Sequence, residues 1–223
     1  MHSKESMFRV LTIAREYGSG GAAIGQRVAQ SLGWRLLDDD LIKAAARRAK
    51  VDFRVARRYD ECVDSWWHRI NRGGSWSAAI MAGASPDDVQ FFDSDALAAI
   101  TQEVILQAAS KGNCVIVGRG AQCVLRGWTR VLHVFVYGPW PERMARVQQR
   151  QGGECDAAKL LQSVDRARAA SIRRYFGRDW KDPQLYHMML NTQLGFENVA
   201  SMITRAVRYM EPAAMSPWFQ TTA

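Results

Sequence analysis

The stretch REYGSGGAAIGQRVAQSLG, residues 15–33, has the composition of a loop that holds phosphate groups. An apolar run precedes it and a segment with helical periodicity follows, so the predicted order is strand, glycine-rich turn and helix. Backbone N–H groups and the positive end of a helix dipole bind phosphate in such turns. The usual pattern ends in Lys and Ser or Thr, whereas Ala22 and Ala23 stand there in this chain. An ordinary strand-to-helix connection is the alternative interpretation.

Arg15 lies directly before this loop. Phosphoryl transfer depends on positioning and on the stabilisation of charge, so the absence of the usual lysine removes a positive charge from the place that needs it. We expect Arg15 to replace that charge, together with arginines farther along the chain.

Arg119 follows an apolar run in the stretch CVIVGRGA. Such a run predicts a buried parallel strand, and the ligands of open parallel sheets bind at the carboxyl ends of the strands. Arg119 is therefore a candidate ligand-binding residue. A surface arginine in a turn is the alternative.

Asp165 and Arg168 are three residues apart in the stretch SVDRARAASIRRY, and helical spacing puts them on one face. One interpretation is a movable arginine lid, which closes over transferring phosphates and excludes water. The other is a solvated helix with an ordinary ion pair.

Hydrophobic periodicity predicts the elements that must position these residues. Apolar runs such as RVLTIA, NCVIV and RVLHVFV indicate buried strands, with shorter candidates at WRLL and HMMLNT. Amphipathic segments with helical spacing alternate with these runs. The alternation predicts a three-layer α/β sandwich around a parallel β-sheet. A Trp-, Gly- and Ser-rich piece that begins near residue 65 is predicted to be an insertion.

The composition narrows the class of protein. The chain has 223 residues and a formal net charge of +8, and many of its arginines fall within residues 143–178. Clustered arginines favour phosphate handling over a loose coating of a duplex. No apolar window reaches the length of about 18 residues that a membrane span needs, and no signal peptide is apparent, so we expect a cytoplasmic protein. The four Cys and four His are dispersed, which predicts no protein-held metal cluster.

Together, the glycine loop, the CVIVGRGA stretch, the Asp165–Arg168 pair and the segment YFGRDWKDPQLYHMMLNT resemble the cytidylate kinase-like proteins, a divergent branch of the P-loop nucleoside monophosphate kinases. The resemblance implies one domain with a core of about residues 7–40, 96–150 and 186–212. An acceptor-binding insertion of about 41–95 and an arginine-rich lid of about 151–185 complete it. The implied reaction transfers a phosphoryl group from ATP, with Mg²⁺, to CMP or dCMP.

The resemblance also implies roles for the residues that it matches. ATP phosphates would be bound by Gly18, Ser19, Gly20, Gly21, Ala22 and Arg143. Arg119 would hold the acceptor nucleotide, Asp165 would lie near the acceptor ribose, and Arg168 would contact the phosphates. Arg15 joins the catalytic set for its charge, and Asp38 is a second acidic group that could orient the acceptor.

Two positions depart from the family pattern. Related proteins carry Arg or Lys where this chain has Ala22, and the better-known cytidylate kinases carry an Asp that helps to read cytosine where it has Gly120. The identity of the base therefore stays open.

Three hypotheses follow. The first is a nucleoside monophosphate kinase, whose partners are ATP and a nucleoside monophosphate, with neither a membrane nor nucleic acid expected and the oligomeric state open. The second is a nucleotide-binding or regulatory protein with little catalysis, which Ala22 and Ala23 favour. The third is a basic nucleic-acid-binding protein, suggested by the net charge and by Trp66, Trp67 and Trp76.

Overall fold

A five-stranded parallel sheet organises the residues that the computed structural model describes, which are 8–38, 94–151 and 156–210. The strands follow the order β2-β3-β1-β4-β5, and every neighbouring pair is parallel. Their bounds are β1 Val10–Arg15, β2 Arg35–Leu37, β3 Cys114–Val117, β4 Val131–Tyr137 and β5 Met188–Asn191. The predicted α/β fold with a parallel sheet is confirmed.

Helices connect these strands. In the described ranges they are α1 Gly21–Leu32, α2 Ser94–Lys111, α3 Ala121–Val124, α4 Trp140–Gln151, α5 Ala157–Phe176 and α6 Phe196–Tyr209, with 3-10 turns at Pro183–Leu185 and Thr192–Leu194. None of these helices combines the length and the apolar character needed to cross a bilayer. The acceptor-binding insertion predicted for about 41–95 lies outside the described residues, except for its last two. The domain boundaries therefore stay a prediction.

The alternation of side chains along β1 explains the layers. Leu11 and Ile13 belong to an apolar cluster with residues of α1 and α6 on one face of the sheet. Val10 points the other way, into a cluster with residues of α2 and α3. Successive residues of a strand face opposite sides, so a run that is apolar at nearly every position requires helices on both faces.

A polar contact between Thr12 and His133 interrupts this apolar sheet at matched positions of β1 and β4. The Thr12 Oγ1 atom lies 2.7 Å from His133 Nδ1, and the ring of His133 stacks on that of His187 with centroids 5.2 Å apart. Burial, reinforced by the neighbouring His187, lowers the pKa of His133 to about 3. The imidazole of His133 is therefore neutral in the folded protein at neutral pH.

This buried imidazole should make stability depend on pH. In the unfolded chain a histidine takes up a proton below about pH 6.5, whereas folded His133 does not do so until about pH 3. The contribution of His133 to the free energy of unfolding is complete above about pH 6.5. It falls as the pH drops from about 6.5 to about 3, by up to about 1.4 kcal/mol per pH unit. Urea midpoints between pH 7.5 and 5 should fall less steeply for His133→Gln than for wild type. His187→Gln should also reduce the slope, though less than His133→Gln does, because burial lowers the pKa of His187 as well. Equal slopes for wild type and His133→Gln would contradict the assignment.

Candidate active site

The glycine loop joins β1 to α1 at the carboxyl edge of the sheet. Gly18 and Gly20 adopt left-handed φ angles of 72° and 83°, and a Cβ atom on Gly20 would lie 2.2 Å from the ring of Phe196. Glycine is therefore required there by both conformation and space. Helix α1 begins with Gly20 at its N-cap and receives no side-chain cap. The first N–H groups of a helix have no intrahelical partner, so this end can bind an anion.

The side chains at the start of α1 add neither positive charge nor a hydroxyl group. Ser19 is fully buried, and its hydroxyl donates to the Glu16 carbonyl oxygen at 2.8 Å, so it holds the loop together. Ala22 is exposed and Ala23 is half-buried, where a P-loop carries Lys and Ser or Thr. Because Mg²⁺ requires oxygen ligands, the start of α1 does not fit a Mg²⁺ ion held by its side chains. The described ranges also contain no cluster of three His, Cys, Asp or Glu that could hold a metal.

Arg15 links the ends of three strands. Its stem packs so closely on Gly21 that a Cβ there would lie 2.6 Å from the Arg15 Cβ. Its guanidinium occupies the space in which a Gly118 side chain would sit, with Nη1 only 1.7 Å from the Cβ position. Its Nη2 is 3.5 Å from Asp38 Oδ1. Arg15 and Asp38, which the sequence selected separately, thus form an ion pair on the side of β2 and β3.

Arg119 is held in a strained conformation at the carboxyl end of β3. Its φ angle is 61°, between Gly118 at 76° and Gly120 at 70°. Left-handed backbone at a residue other than glycine costs about 1–3 kcal/mol, and such residues concentrate at functional sites. A side chain at position 120 would clash, because its Cβ would lie 2.7 Å from the ring of Phe176. An Asp at this position would meet the same ring.

Arg143 lies at the centre of a buried ion network beneath the loop, which we call the loop network: Glu16, Arg143 and Asp165. Its Nη1 donates to Glu16 Oε2 at 3.0 Å, its Nη2 donates to Asp165 Oδ2, and its Nε donates to the Tyr17 carbonyl oxygen at 2.7 Å. Its side chain is only 5% exposed. Each guanidinium nitrogen of Arg143 thus meets a protein acceptor, and the phosphate-binding role stays a prediction.

Helix α5 is docked on the loop through Asp165 and Arg168. The backbone N–H of Tyr17 donates to Asp165 Oδ1 at 2.8 Å, and Arg168 Nη1 donates to the Arg15 carbonyl oxygen at 2.9 Å. The predicted shared face is present, since Arg168 Nη1 lies 3.9 Å from Asp165 Oδ1. Burial raises the pKa of Asp165, while the N–H of Tyr17 and the charge of Arg143 oppose the rise.

Glu16, Lys181 and Arg146 border the loop although sequence reasoning did not select them. Lys181 Nζ is 2.5 Å from Glu16 Oε1, and the backbone N–H of Gly138 donates to Glu16 Oε2 at 3.3 Å. Arg146 Nη1 donates to the Gly18 carbonyl oxygen at 3.2 Å, and its guanidinium carbon lies 4.9 Å from the centroid of the Phe196 ring. Glu16 could have been selected from the sequence, because it lies between a buried strand and a glycine loop. A carboxylate in such a place is expected to be buried and to need a partner charge.

Comparison with known proteins agrees with this geometry. The chain matches the model of the cytidylate kinase-like family over residues 10–194. No curated protein matches the sequence significantly.

Three solved structures share the fold. An uncharacterized protein from Eubacterium ventriosum is 19% identical with a TM-score of 0.64, over 90% of this chain and 99% of that one. Shikimate kinase from Acinetobacter baumannii, in complex with shikimate, is 15% identical with a TM-score of 0.51, over 90% and 93%. A sugar kinase from Janibacter sp. is 17% identical with a TM-score of 0.50, over 94% and 99%. At these identities the matches establish the fold.

The loop network predicts a large loss of stability when its central charge is removed. Arg143→Met leaves the two carboxylates of Glu16 and Asp165 buried without their shared cation, and breaking such a group costs about 3–5 kcal/mol. Denaturant unfolding measures the change. Arg150→Met on the same helix is the matched control, and its loss should stay below about 1 kcal/mol because Arg150 is exposed.

The triple variant Glu16→Gln, Arg143→Met, Asp165→Asn removes all three charges together. It should regain much of the stability that Arg143→Met loses, because neither carboxylate then remains buried as an unpaired charge. Lys181, which loses Glu16, is 57% exposed, and Arg168 still donates to the Arg15 carbonyl oxygen. Equal losses for Arg143→Met and Arg150→Met would contradict the network.

Proposed function

Because the chain belongs to the cytidylate kinase-like family, we propose that it transfers the γ-phosphoryl group of ATP to a nucleoside monophosphate, with CMP and dCMP as the first candidates. One observation carries the proposal: an uncapped helix start follows a glycine loop at the carboxyl edge of the sheet. Arg15, Arg119 and Arg168 come from three different elements around that loop. We also propose a cytoplasmic location, because ATP and nucleoside monophosphates occur there.

In the proposed mechanism the loop binds the ATP phosphates through its backbone. The N–H groups of Gly20, Gly21 and Ala22 and the dipole of α1 would hold the phosphate oxygens. This grip needs no side chain, which is why Ala22 and Ala23 are compatible with nucleotide binding. Phosphoryl transfer depends on the positioning of the reactants and on the stabilisation of negative charge, and it needs little covalent chemistry by the protein.

Three cations that border the loop are proposed to supply the charge that Ala22 lacks. Arg146 donates to the carbonyl oxygen of Gly18, and Arg168 donates to that of Arg15. Lys181 reaches the buried carboxylate of Glu16 while its own side chain stays 57% exposed. The negative charge that develops on a transferring phosphoryl group would be stabilised by this surrounding positive charge.

The acceptor is proposed to bind on the side of β2 and β3. Arg119 would grip its phosphate, since a guanidinium matches phosphate geometry, and the strain at Arg119 supports a functional position. The Arg15–Asp38 pair stands beside it, with Asp38 as the acidic group that orients the acceptor. Phe176 fills the space next to Gly120, so an Asp at 120 cannot contribute to base selection.

Mg²⁺ is proposed to arrive on the ATP phosphates and to neutralise part of their charge. The start of α1 offers it no oxygen ligand from a side chain, so its remaining ligands would be water and nucleotide oxygens. The protein groups therefore contribute binding and orientation.

A second candidate function has its own observation. Ala22 and Ala23 remove two groups that phosphate loops use in catalysis, and the loss of one such donor typically costs about 10²–10³ in rate. A nucleotide-binding or regulatory protein with little turnover on the same fold is therefore the alternative.

A panel of all common ribo- and deoxyribonucleoside monophosphates, with ATP and Mg²⁺, separates the two functions. A kinase releases ADP only when an acceptor is present, and we expect a pyrimidine monophosphate to be preferred. If no acceptor yields ADP while ATP still raises the melting temperature, the kinase proposal fails and the binding protein stands. If no acceptor yields ADP and ATP does not raise the melting temperature, both proposed functions fail.

Restoring the lysine tests whether the loop is aligned correctly. Ala22 is exposed at the start of α1, so Ala22→Lys should fold normally. It should leave kcat unchanged or raise it by up to about 10²-fold, the scale of one preorganised donor. Ala22→Gln has a similar length without charge and serves as the control. A large loss of activity in Ala22→Lys alone would mean that residue 22 does not occupy the lysine position.

A further inference from the structure

Gly21, the first residue of helix α1, is required to be glycine by space and not by conformation. Its φ angle lies outside the left-handed region in which Gly18 and Gly20 are held, so its backbone accepts a side chain. Glycine is also unfavourable in a helix compared with other residues. A Cβ atom at residue 21 would lie 2.6 Å from the Cβ of Arg15 and 2.8 Å from its Cγ. The side chain of Arg15 therefore occupies the place that a side chain of residue 21 would take.

The side chain of Arg15 runs from the start of α1 to the carboxyl end of β3. The backbone N–H of Gly118 donates to the Ile13 carbonyl oxygen at 2.9 Å, which puts the end of β3 beside β1. There the Arg15 Cζ atom lies 2.9 Å from the place of a Gly118 Cβ. The guanidinium is paired with Asp38, and the Arg15 side chain is only 18% exposed. Its positive charge is therefore held between the first turn of α1 and the end of β3.

This position lies between the two parts of the candidate active site. On one side is the uncapped start of α1, where the ATP phosphates are proposed to bind. On the other is the end of β3, where Arg119 is proposed to hold the acceptor. A phosphoryl group that passes from ATP to the acceptor crosses the region between them and carries negative charge as it does so. A guanidinium fixed there can meet its oxygens with two parallel N–H donors.

We propose that Arg15 contacts the transferring phosphoryl group and reaches it through the side-chain place of residue 21. Residues 15 and 21 then act as one unit, in which Arg15 supplies the charge and Gly21 leaves the room that the Arg15 stem needs. The inference rests on the proposed kinase function and deepens it. It couples two positions that the sequence selected for separate roles, Arg15 for its charge and Gly21 for its backbone.

Melting temperatures test the steric coupling of residues 15 and 21 without any nucleotide. Gly21→Ala should lower the melting temperature of the wild type, because its Cβ meets the Arg15 stem. In an Arg15→Gly background the same change should leave the melting temperature unchanged or raise it, because alanine favours a helix over glycine. Gly25→Ala is the matched control on the same helix. Its Cβ would lie 2.9 Å from Val117 Cγ2, so its effect should be the same in both backgrounds.

Turnover tests the role of the charge. Arg15→Met keeps the stem and removes the charge, so kcat with the best acceptor should fall by about 10²–10³-fold. The double variant Arg15→Gly, Gly21→Lys moves a positive charge from residue 15 to residue 21, into the space that the Arg15 stem leaves. It should be more active than Arg15→Gly by about tenfold or more. Arg15→Gly, Gln26→Lys adds the same charge at an exposed position of the same helix and should show no such gain.

Three results would overturn the inference. If Gly21→Ala lowers the melting temperature equally in both backgrounds, Arg15 does not occupy the place of a residue 21 side chain. If folded Arg15→Met keeps the wild-type kcat, its charge does not act on the transferring group. If lysine at residue 26 restores as much activity as lysine at residue 21, net charge alone accounts for the effect.

Titration calorimetry with ATP keeps this inference and the kinase proposal apart. ADP release by the wild type together with an unimpaired Arg15→Met refutes only the role of Arg15. If the wild type binds ATP but releases no ADP with any monophosphate, the kinase fails. Arg15→Met should then still weaken ATP binding by about tenfold, and an unchanged affinity would refute the role of Arg15 as well. A wild type that neither binds ATP nor releases ADP refutes both.

Discussion

The ion network of Glu16, Arg143 and Asp165 is the constraint on which the geometry of the candidate site depends. Each member comes from a different part of the chain: the loop after β1, helix α4 and helix α5. Because all three are largely buried, any one charge requires the others, and removing one would leave its partners uncompensated. The network therefore joins the loop, helix α4 and helix α5.

This arrangement explains how the glycine loop keeps its shape without a lysine. The N–H of Tyr17 donates to the Asp165 carboxylate, so the loop is held from below, and the Ser19 hydroxyl donates to the Glu16 carbonyl oxygen within the loop. Gly18 and Gly20 adopt left-handed φ angles, as in turns whose successive N–H groups form an anion-binding concavity. The positive charge beside the loop is carried by Arg146 of α4, Arg168 of α5 and Lys181, instead of by a lysine in the loop itself.

Local features of the site could be predicted from the sequence, because they depend on neighbours along the chain. Helix α1 ends at Gly33 in a left-handed conformation, and the three-residue spacing placed Asp165 and Arg168 on one face. The loop network could not be predicted in this way. Arg143 and Glu16 are 127 residues apart, and Lys181 and Glu16 are 165 apart. The spacing within one element indicates which face a residue shares, but the partner of a buried charge is chosen by tertiary packing.

The central claim is that backbone N–H groups at the start of α1 hold the phosphates without a lysine. The direct measurement is the amide ¹H and ¹⁵N chemical shifts of the assigned protein during a titration with ATP and Mg²⁺. The account predicts that Gly20, Gly21 and Ala22 show the largest downfield amide proton shifts, as expected for new hydrogen bonds to anionic oxygens. Saturation by ATP with these three amides unchanged, and with the shifts concentrated elsewhere, would contradict it.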